Sequence, residues 1–317
     1  MTTLTEDESA LVLTGEVLAR SPFFFIKLGD AAVELVNGYG RKTCDGEMYT
    51  NALADALLMS WKRLSGLHKN LYVGDWRTAS FSGPSDRSRY DAEYRILMGA
   101  VHGTLLHFEC LLLMRETDAL LGFYRAVRED TRRKLLMGPV AWEPLAKVLK
   151  CDFLPLPVMA NLFSINEQVA NELKRSDFEV LLYGAGTAGH VSVIDCWEAH
   201  PERTYINLGS ALDPACSRGK TRKQQLAPHR AKAFLERLLP RVTPQFRDWC
   251  EKGHAKGTRG CPLCDTNGVI TTAGRGNSLL KRYEEVNAQV RPWDPISCCR
   301  FHITGGYGNM PCSEMPA

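Results

Sequence analysis

Short apolar runs alternate with amphipathic stretches along the first 210 residues. The apolar runs predict buried strands at 23–28, 70–75, 133–139, 153–158, 180–183 and 204–208. The amphipathic stretches predict helices at 1–20, 49–64, 142–149 and 166–175, a further helix after the glycines that follow residue 183, and a long helical region whose apolar positions are Leu97, Val101, Leu105, Phe108 and Leu112. The alternation predicts an α/β fold, a Rossmann-like and largely parallel sheet with helices on both faces.

Two histidines, His102 and His107, fall inside the long predicted helical region. Residues five apart do not share a helix face. We therefore expect core or surface roles for both rather than joint metal ligation.

Three glycines follow the apolar run 180–183, at Gly184, Gly186 and Gly189. Glycines at a strand-to-helix turn allow positive φ and close backbone approach, and the N–H groups that begin the following helix can receive a diphosphate. The pattern predicts a nucleotide-containing ligand. A tight turn with a purely structural role is the alternative.

An NAD-binding domain is a second interpretation of the same turn. It requires an acidic residue about twenty residues later, at the end of the next strand, to hold the ribose hydroxyls. Here that region offers Asn207. The segment that follows is polar and basic, with no room for the second half of a dinucleotide domain, so the NAD interpretation is the weaker one.

The composition is that of a soluble globular protein, with 44% hydrophobic and 24% charged residues among 317. No apolar run reaches membrane-spanning length, and the first ten residues are acidic, unlike a signal peptide. These features predict a cytoplasmic protein, in the host cytoplasm if a phage encodes it.

Positive charge is concentrated in one segment. Residues 217–259 contain twelve Lys or Arg against three acids, a balance of +9, while the net charge of the chain is +3, so the remainder is about −6. Such asymmetry predicts a surface that faces a polyanion. A solvated basic helix is the alternative.

Several carboxylates stand where ligands bind in open α/β sheets. Asp30 and Asp75 follow predicted strands directly, at the carboxyl ends where such sheets hold their ligands. Asp45 and Glu47 precede the helix at 49–64 with a spacing that lets a turn aim both at one cation. As caps of that helix they would need no metal.

With these elements in order, residues 20–222 resemble the GT-D-type glycosyltransferases, a bacterial and phage family. FFFIKLGDAAVELV is similar to its F-x-x-x-R-x-G-D-G-E strand, YVGDW and KLLMGP to its strands ending in glycine, PLPVMANLF to a proline segment with an Ala-Asn pair, and VLLYGAGTAG with INLGSALDP to its last strands and D-x-G-S ending. The resemblance implies a Rossmann-like fold, a nucleoside-diphosphate sugar donor and usually a divalent metal, Mn or Mg.

The resemblance also assigns residues. It implies that Lys27, Gly29, Ser210 and Asp213 bind the donor together with the three glycines of the turn, and that Asp30 lies at the metal or the ribose. Arg222 belongs to a basic group that directly follows the last matching strand and could bind the donor phosphates or the backbone of an acceptor; the group comprises Arg218, Lys220, Arg222 and Lys223.

One departure affects the metal. The family motif Asp-x-Glu corresponds here to Asp30, Ala31 and Ala32, so its glutamate is missing. Glu34 could substitute for it, as could Asp45 and Glu47, or the enzyme uses no metal. Lys27 stands where the family has arginine, which keeps the charge without the bidentate fork.

The region 223–317 is predicted to be a basic, Cys- and His-containing extension to a glycosyltransferase domain at 1–222. Cys250, His254, Cys261 and Cys264 lie within fifteen residues, a spacing typical of a structural zinc site. Eleven cysteines over a long chain do not suggest a disulfide framework. The remaining Cys and His residues of this region are predicted to be unligated, with replacement ligands or a second site as the alternative: Cys298, Cys299, His302 and Cys312.

The sequence thus predicts an enzyme that transfers a sugar from a nucleoside-diphosphate sugar to a hydroxyl, with Asp75 or Asp45 as general base. The basic segment and the predicted zinc module favour a hydroxyl on a modified base of phage DNA as acceptor. Two alternatives remain open: a glycosyltransferase acting on protein or polysaccharide, and a non-catalytic, zinc-dependent nucleic-acid-binding protein.

Overall fold

The computed structural model describes residues 4–27, 29–36, 47–64, 70–79, 103–156, 162–216 and 224–239. Seven strands are present in this part of the chain: β1 Phe24–Lys27, β2 Leu71–Asp75, β3 Thr104–His107, β4 Lys134–Pro139, β5 Asp152–Leu156, β6 Val180–Tyr183 and β7 Thr204–Asn207. The helices are α1 Glu6–Ala19, α2 Asp30–Val36, α3 Asn51–Leu64, α4 Asp118–Glu129, α5 Glu143–Leu149, α6 Asn166–Arg175, α7 Gly186–Ala199 and α8 Pro228–Glu236. Short 3-10 turns occupy Trp76–Thr78, Val140–Trp142, Leu162–Ile165 and Asp213–Ala215.

The strands form one sheet in the order β3-β2-β1-β7-β6-β4-β5. Every pair of neighbours is parallel, so all seven carboxyl ends lie along one side of the sheet, which we call the carboxyl edge. The predicted fold class, an α/β fold with a parallel sheet, is therefore confirmed.

Both faces of the sheet are covered by helices, which explains why its strands are apolar at nearly every position. Successive residues of a strand point to opposite faces, and the core divides accordingly. Ile26 and Tyr183 pack in one cluster with α2, α3, α6 and α7, whereas Phe25 and Leu182 pack in the other with α1, α4, α5 and α8.

The long helical region predicted from apolar positions between 97 and 112 is wrong over the residues described. Residues 104–107 form β3, which pairs with β2 in register Tyr72↔Thr104 to Asp75↔His107. Turns follow from 108 onward, and the next helix is α4, which the sequence pattern did not identify. His107 therefore ends a strand instead of lying on a helix, and its neighbours are set by the sheet.

The first part of the predicted C-terminal extension packs against the sheet layers. The amide of Leu226 donates to the carbonyl of Leu113 over 2.7 Å, and α8 buries Ala231, Phe234 and Leu235 in the same core as α1 and α4. Residues 224–239 are thus continuous with the main core.

Among the described helices, none has both the length and the apolar character needed to cross a membrane.

Candidate active site at the carboxyl edge

The centre of the carboxyl edge is formed by β1, β7 and β6. The chain that leaves β6 leads to β7, toward β1, whereas the chain that leaves the other neighbour of β6, strand β4, leads in the opposite direction to β5. Open α/β sheets bind ligands in the crevice outside such diverging strands. Strand β1 ends at Lys27 and β7 ends at Asn207, and Gly184 directly follows β6.

Lys27 carries a positive charge to the end of β1. Its side chain is buried, and Nζ donates to the carbonyl of Leu208 over 3.0 Å and lies 5.5 Å from the ring centroid of Phe108. Two glycines make room for it: a Cβ on Gly74 would lie 2.7 Å from Lys27 Cγ, and one on Gly209 would lie 3.0 Å from Nζ. The backbone therefore holds this cation at the centre of the edge.

The predicted glycine turn opens α7 at Gly186. This exposed residue has φ +55°, a left-handed conformation that favours glycine. The N-cap residue Ala185 makes no side-chain capping hydrogen bond. The first N–H groups of this fourteen-residue helix thus lack a capping side chain, and together with the helix dipole they favour an anion.

Gly184 and Gly189 have packing reasons for lacking a side chain. A Cβ on Gly184 would lie 2.3 Å from Trp142 Cη2 and 2.4 Å from the carbonyl oxygen of Gly209, and a Cβ on Gly189 would lie 2.1 Å from Cβ of Ala185. For these two positions, close packing explains the glycine without a ligand. Among the three glycines, Gly186 is the one whose backbone is open to a ligand.

His190 belongs to this site although it was not identified from the sequence. It is buried in the second turn of α7, and its ring meets that of Tyr183 edge to face, with centroids 6.1 Å apart. Burial, followed by the charge of Lys27, lowers the pKa of His190 to about 4, so the ring is neutral at pH 7. Its Nδ1 has no hydrogen-bond partner among the described residues. Its place directly after Gly189 was the one signal available in the sequence.

Asp213 and Ser210, predicted to bind the donor, make contacts within the protein. Asp213 is buried, and Oδ1 accepts a hydrogen bond from Trp142 Nε1 over 2.8 Å. The carbonyl of Ser210 accepts from Gln225 Nε2 over 2.7 Å. Both residues help to fix the chain after β7, and their predicted contact with the donor stays a prediction.

Asp75, one of the two predicted general bases, ends β2. Its carboxylate is buried and receives Arg77 through a fork: Nε donates to Oδ1 at 2.9 Å, and Nη2 donates to Oδ2 at 2.7 Å. The amide of Arg77 adds a third bond to Oδ1. Both oxygens are thus engaged by Arg77, which would have to move before Asp75 took a proton from an acceptor.

Glu47, predicted as a metal ligand, caps the 3-10 turn Leu162–Ile165. Its oxygens accept the amide N–H groups of Leu162 at 2.7 Å and Phe163 at 3.2 Å. Burial raises the pKa of Glu47 to about 7, against the lowering effect of the two amides. Glu47 thus caps this turn and not the start of the helix at 49–64, where the sequence predicted capping.

Gly29 and Asp30 connect β1 to α2. The carbonyl of Gly29 accepts from the amides of Ala32 and Val33, and Asp30 is the first residue of α2. Glu34, the other proposed substitute for the missing metal ligand, accepts a hydrogen bond from the Tyr49 hydroxyl at 3.4 Å. The side chain of Asp30 lies outside what the structure describes.

Several predicted site residues fall outside the described ranges: Asp45, Arg222, Cys250, His254, Cys261 and Cys264. Their roles stay predictions. In the described part of the chain, one group of three side chains could together contact a metal, and it lies at the outer end of the edge: Glu6, His107 and Glu109.

No protein-family model and no curated protein sequence matches the chain. The fold is similar to a glycosyltransferase (DUF1792) from Streptococcus sanguinis, with 13% identity, a TM-score of 0.46 and coverage of 67% of this chain and 82% of that chain. It is also similar to a domain of unknown function 1792 described as having a distinct glycosyltransferase fold, with 16% identity, a TM-score of 0.41 and coverage of 65% and 82%. Both likenesses are distant.

Proposed function

We propose that the protein is a glycosyltransferase that moves a sugar from a nucleoside-diphosphate sugar to a hydroxyl acceptor. One observation carries the proposal: the uncapped start of α7 lies on the same central part of the carboxyl edge as the buried Lys27 cation and the neutral His190, whose Nδ1 has no hydrogen-bond partner among the described residues. The three features together suit a large anion that is also a hydrogen-bonding ligand.

The diphosphate would accept hydrogen bonds from the first N–H groups of α7, beginning at Gly186. The partial positive charge of the helix start and the full charge of Lys27 both favour an anion there. His190, neutral because of its lowered pKa, would offer Nδ1 as a hydrogen-bond partner to the nucleotide.

The proposed reaction is a displacement at the anomeric carbon. The acceptor oxygen forms a bond to that carbon, the bond from the carbon to the diphosphate oxygen breaks, and the acceptor proton passes to a carboxylate of the enzyme. Charge grows on the departing diphosphate as the bond breaks. The α7 N–H groups and Lys27 would stabilise this charge, which is where electrostatic preorganisation lowers a barrier most.

A divalent metal would supply further stabilisation of the diphosphate charge. Asp30 is the residue of the family motif that remains to hold it. Among the described alternatives, Glu47 is engaged by two amides and Glu34 by the Tyr49 hydroxyl. Each of these carboxylates would have to share or give up its contacts to join Asp30 at a metal.

The acceptor predicted from the sequence is a hydroxyl on a modified DNA base. Its basis is the basic segment 217–259 and the Cys/His cluster, of which only residues 224–239 are described. The competing hypothesis, a non-catalytic nucleic-acid-binding protein, assigns no role to the features around Lys27. It predicts salt-dependent DNA binding and an inert α/β body.

The test is donor turnover. The purified full chain is incubated with UDP-, GDP- and CDP-sugars, with and without Mn²⁺, and the released nucleoside diphosphate is measured. Release from at least one donor in the absence of nucleic acid supports the proposal and counts against the binding-module hypothesis. If no donor is turned over, alone or with hydroxymethylated DNA, oligosaccharide or peptide acceptors, the proposal is wrong.

A further inference from the structure

A cavity lies at the outer end of the carboxyl edge, apart from the glycine turn. Its volume is about 610 Å³, and its walls come from the start of α1, the turn after β2, the end of β3 and the segment before α4. The polar lining residues are Thr5, Glu6, Asp7, Arg77, Thr78, His107 and Arg115. We call this cavity the outer pocket.

The outer pocket adjoins the proposed donor site. His107 ends β3, and β3 is separated from β1 by β2 alone. Because neighbouring strands lie about 4.8 Å apart, the pocket begins about 10 Å from the strand that carries Lys27. The pocket is therefore within reach of a sugar held by its diphosphate near Lys27.

The walls of the pocket are fixed by hydrogen bonds. Asp75 holds Arg77 through the fork described above, and Thr78 Oγ1 donates to the carbonyl of Asp75 over 2.6 Å while accepting the amide of Phe108 over 2.9 Å. The amide of His107 donates to Ser9 Oγ of α1 over 2.8 Å. Arg77, Thr78 and the backbone of His107 are thus held in position by β2, by the turn after β3 and by α1.

The protonation of His107 follows from its contacts. The amide N–H of Glu109 donates to Nδ1 over 3.2 Å, so the neutral ring carries its proton on Nε2. Burial lowers the pKa of His107, although the charge of Glu109 acts in the opposite direction. The lowered pKa favours the neutral ring. Nε2 is therefore a hydrogen-bond donor.

That donor faces an acceptor across the pocket wall. His107 Nε2 lies 3.7 Å from Glu6 Oε1, too far for a direct hydrogen bond. A hydroxyl in the pocket beside the two atoms could accept from Nε2 and donate to Oε1 at once, a combination that hydroxyl groups provide. Resting on the proposed glycosyltransferase function, we propose that the outer pocket is the acceptor subsite and that Glu6 and His107 bind a hydroxyl of an uncharged saccharide.

The charges around the pocket favour an uncharged acceptor over a polyanion. Glu6 and Asp7 line the pocket. The two arginines of the lining are paired with carboxylates, Arg77 with Asp75 at 2.7 Å and Arg115 with Glu6 at 2.9 Å. A nucleic-acid phosphate would have to displace these carboxylates and approach two acids, whereas a saccharide hydroxyl meets complementary donors and acceptors.

Glu6 and His107, together with Glu109, also form a potential set of metal ligands. One ligand atom each from Glu6, His107 and Glu109 lies within 4.8 Å of the others. The amide of Glu109 occupies Nδ1, however, and the proton on Nε2 leaves no lone pair on the ring for a cation. Metal binding would require the ring to give up the contact with Glu109.

The first test needs no acceptor. Long-range ¹H–¹⁵N spectra of the full-length protein at pH 7 report which ring nitrogen of His107 carries the proton, with His107→Gln providing the assignment. The proposal expects the Nε2–H tautomer, unchanged by added Zn²⁺, which is diamagnetic. An Nδ1–H tautomer, or metal-induced loss of the signal, would overturn it.

The second test uses saturation-transfer NMR with methyl glycosides of glucose, galactose, mannose and N-acetylglucosamine, and with a hydroxymethylcytosine oligonucleotide, at saturating nucleoside diphosphate. At least one glycoside should bind. Glu6→Gln and His107→Asn should each weaken the binding of this glycoside about tenfold, equivalent to about 1.4 kcal/mol. His107→Gln, which retains a donor near Nε2, should weaken it less than His107→Asn.

Glu116→Gln provides the matched control, because Glu116 also pairs with an arginine, Arg230 at 2.7 Å, but is not part of the pocket lining. It should leave glycoside binding unchanged. Nucleotide affinity should be unaffected by all four variants. If nucleotides bind but no glycoside does, or if the oligonucleotide alone depends on Glu6, the acceptor subsite is wrong while the proposed function stands. If no nucleotide binds, the proposed function itself fails.

Discussion

The indole Nε1 of Trp142 donates a hydrogen bond to Oδ1 of Asp213 over 2.8 Å, and both side chains are buried. The bond joins the turn after β4 to the turn after β7, and the Trp142 ring lies over Gly184 at the end of β6. Three strand ends on the carboxyl edge are thus tied together by one side chain. The geometry of the glycine turn depends on this contact.

Replacing Asp213 tests this contact. In Asp213→Ala the buried indole N–H loses its acceptor, which should lower the free energy of unfolding by about 1–3 kcal/mol in urea titrations. Asp213→Asn keeps an acceptor oxygen and should lose less. If Asp213→Asn abolishes nucleotide binding while the protein remains folded, Asp213 contacts the donor, as the family resemblance implies, in addition to holding Trp142.

Gly184→Ala should destabilise the protein because its methyl group would overlap the Trp142 ring and the carbonyl oxygen of Gly209. Overpacking of this kind costs about 1–3 kcal/mol. The matched control is Gly122→Ala in α4, where a Cβ meets nothing within 4 Å. That variant should be more stable than the wild type by up to about 1 kcal/mol, because alanine favours a helix. Equal effects of the two substitutions would contradict the packing explanation.

Glu47 should make stability depend on pH. Its pKa is raised from 4.5 to about 7 in the folded protein, so between these values the folded state binds more protons than the unfolded state. Stability attributable to Glu47 should therefore fall as pH rises from about 4.5 to about 7, by an amount on the order of 3 kcal/mol. In Glu47→Gln this part of the pH dependence should vanish. Urea titrations of both proteins at several pH values measure it, and parallel curves would contradict the prediction.

Much of the fold could be predicted from local patterns. Helix Asn166–Arg175 and strand Val180–Tyr183 were predicted to the residue, because a strong amphipathic period and an uninterrupted apolar run define them. β3 was predicted as helix because apolar residues near it recur at helical spacing. This four-residue edge strand is stabilised by pairing with β2, a contact that the local sequence does not contain.

The same distinction applies to the site. The glycine turn was found because it directly follows its own strand in the sequence, and Lys27 because it stands where the resembled family motif has arginine. The pairs Trp142–Asp213 and Glu6–His107 are formed by residues far apart in the chain, so no local sequence motif predicts them. The engagement of Asp75 by Arg77 is local, but the fork geometry depends on a side-chain conformation that spacing alone does not fix.

The predicted zinc site can be tested independently of the fold. Metal analysis of the purified full-length protein should return about one equivalent of zinc, because four sulfur or nitrogen ligands suit a closed tetrahedral site. The double substitution Cys261→Ser and Cys264→Ser should lose it and reduce solubility. Cys298→Ser with Cys299→Ser, outside the predicted ligand set, should retain it. Zinc content indifferent to the first pair would remove the prediction.

Nucleotide binding at the glycine turn tests the central claim most directly. Isothermal titration calorimetry of the full-length protein with UDP, GDP and CDP, with and without Mn²⁺, should find at least one that binds with 1:1 stoichiometry. Lys27→Met should weaken nucleotide binding about tenfold or more, because the substitution removes the buried cation. Lys27→Arg, which keeps the charge, should weaken it less, and Lys150→Met, an exposed lysine paired with Glu129, should leave it unchanged. Binding to none of the nucleotides, or equal affinity in a folded Lys27→Met protein, would contradict the account.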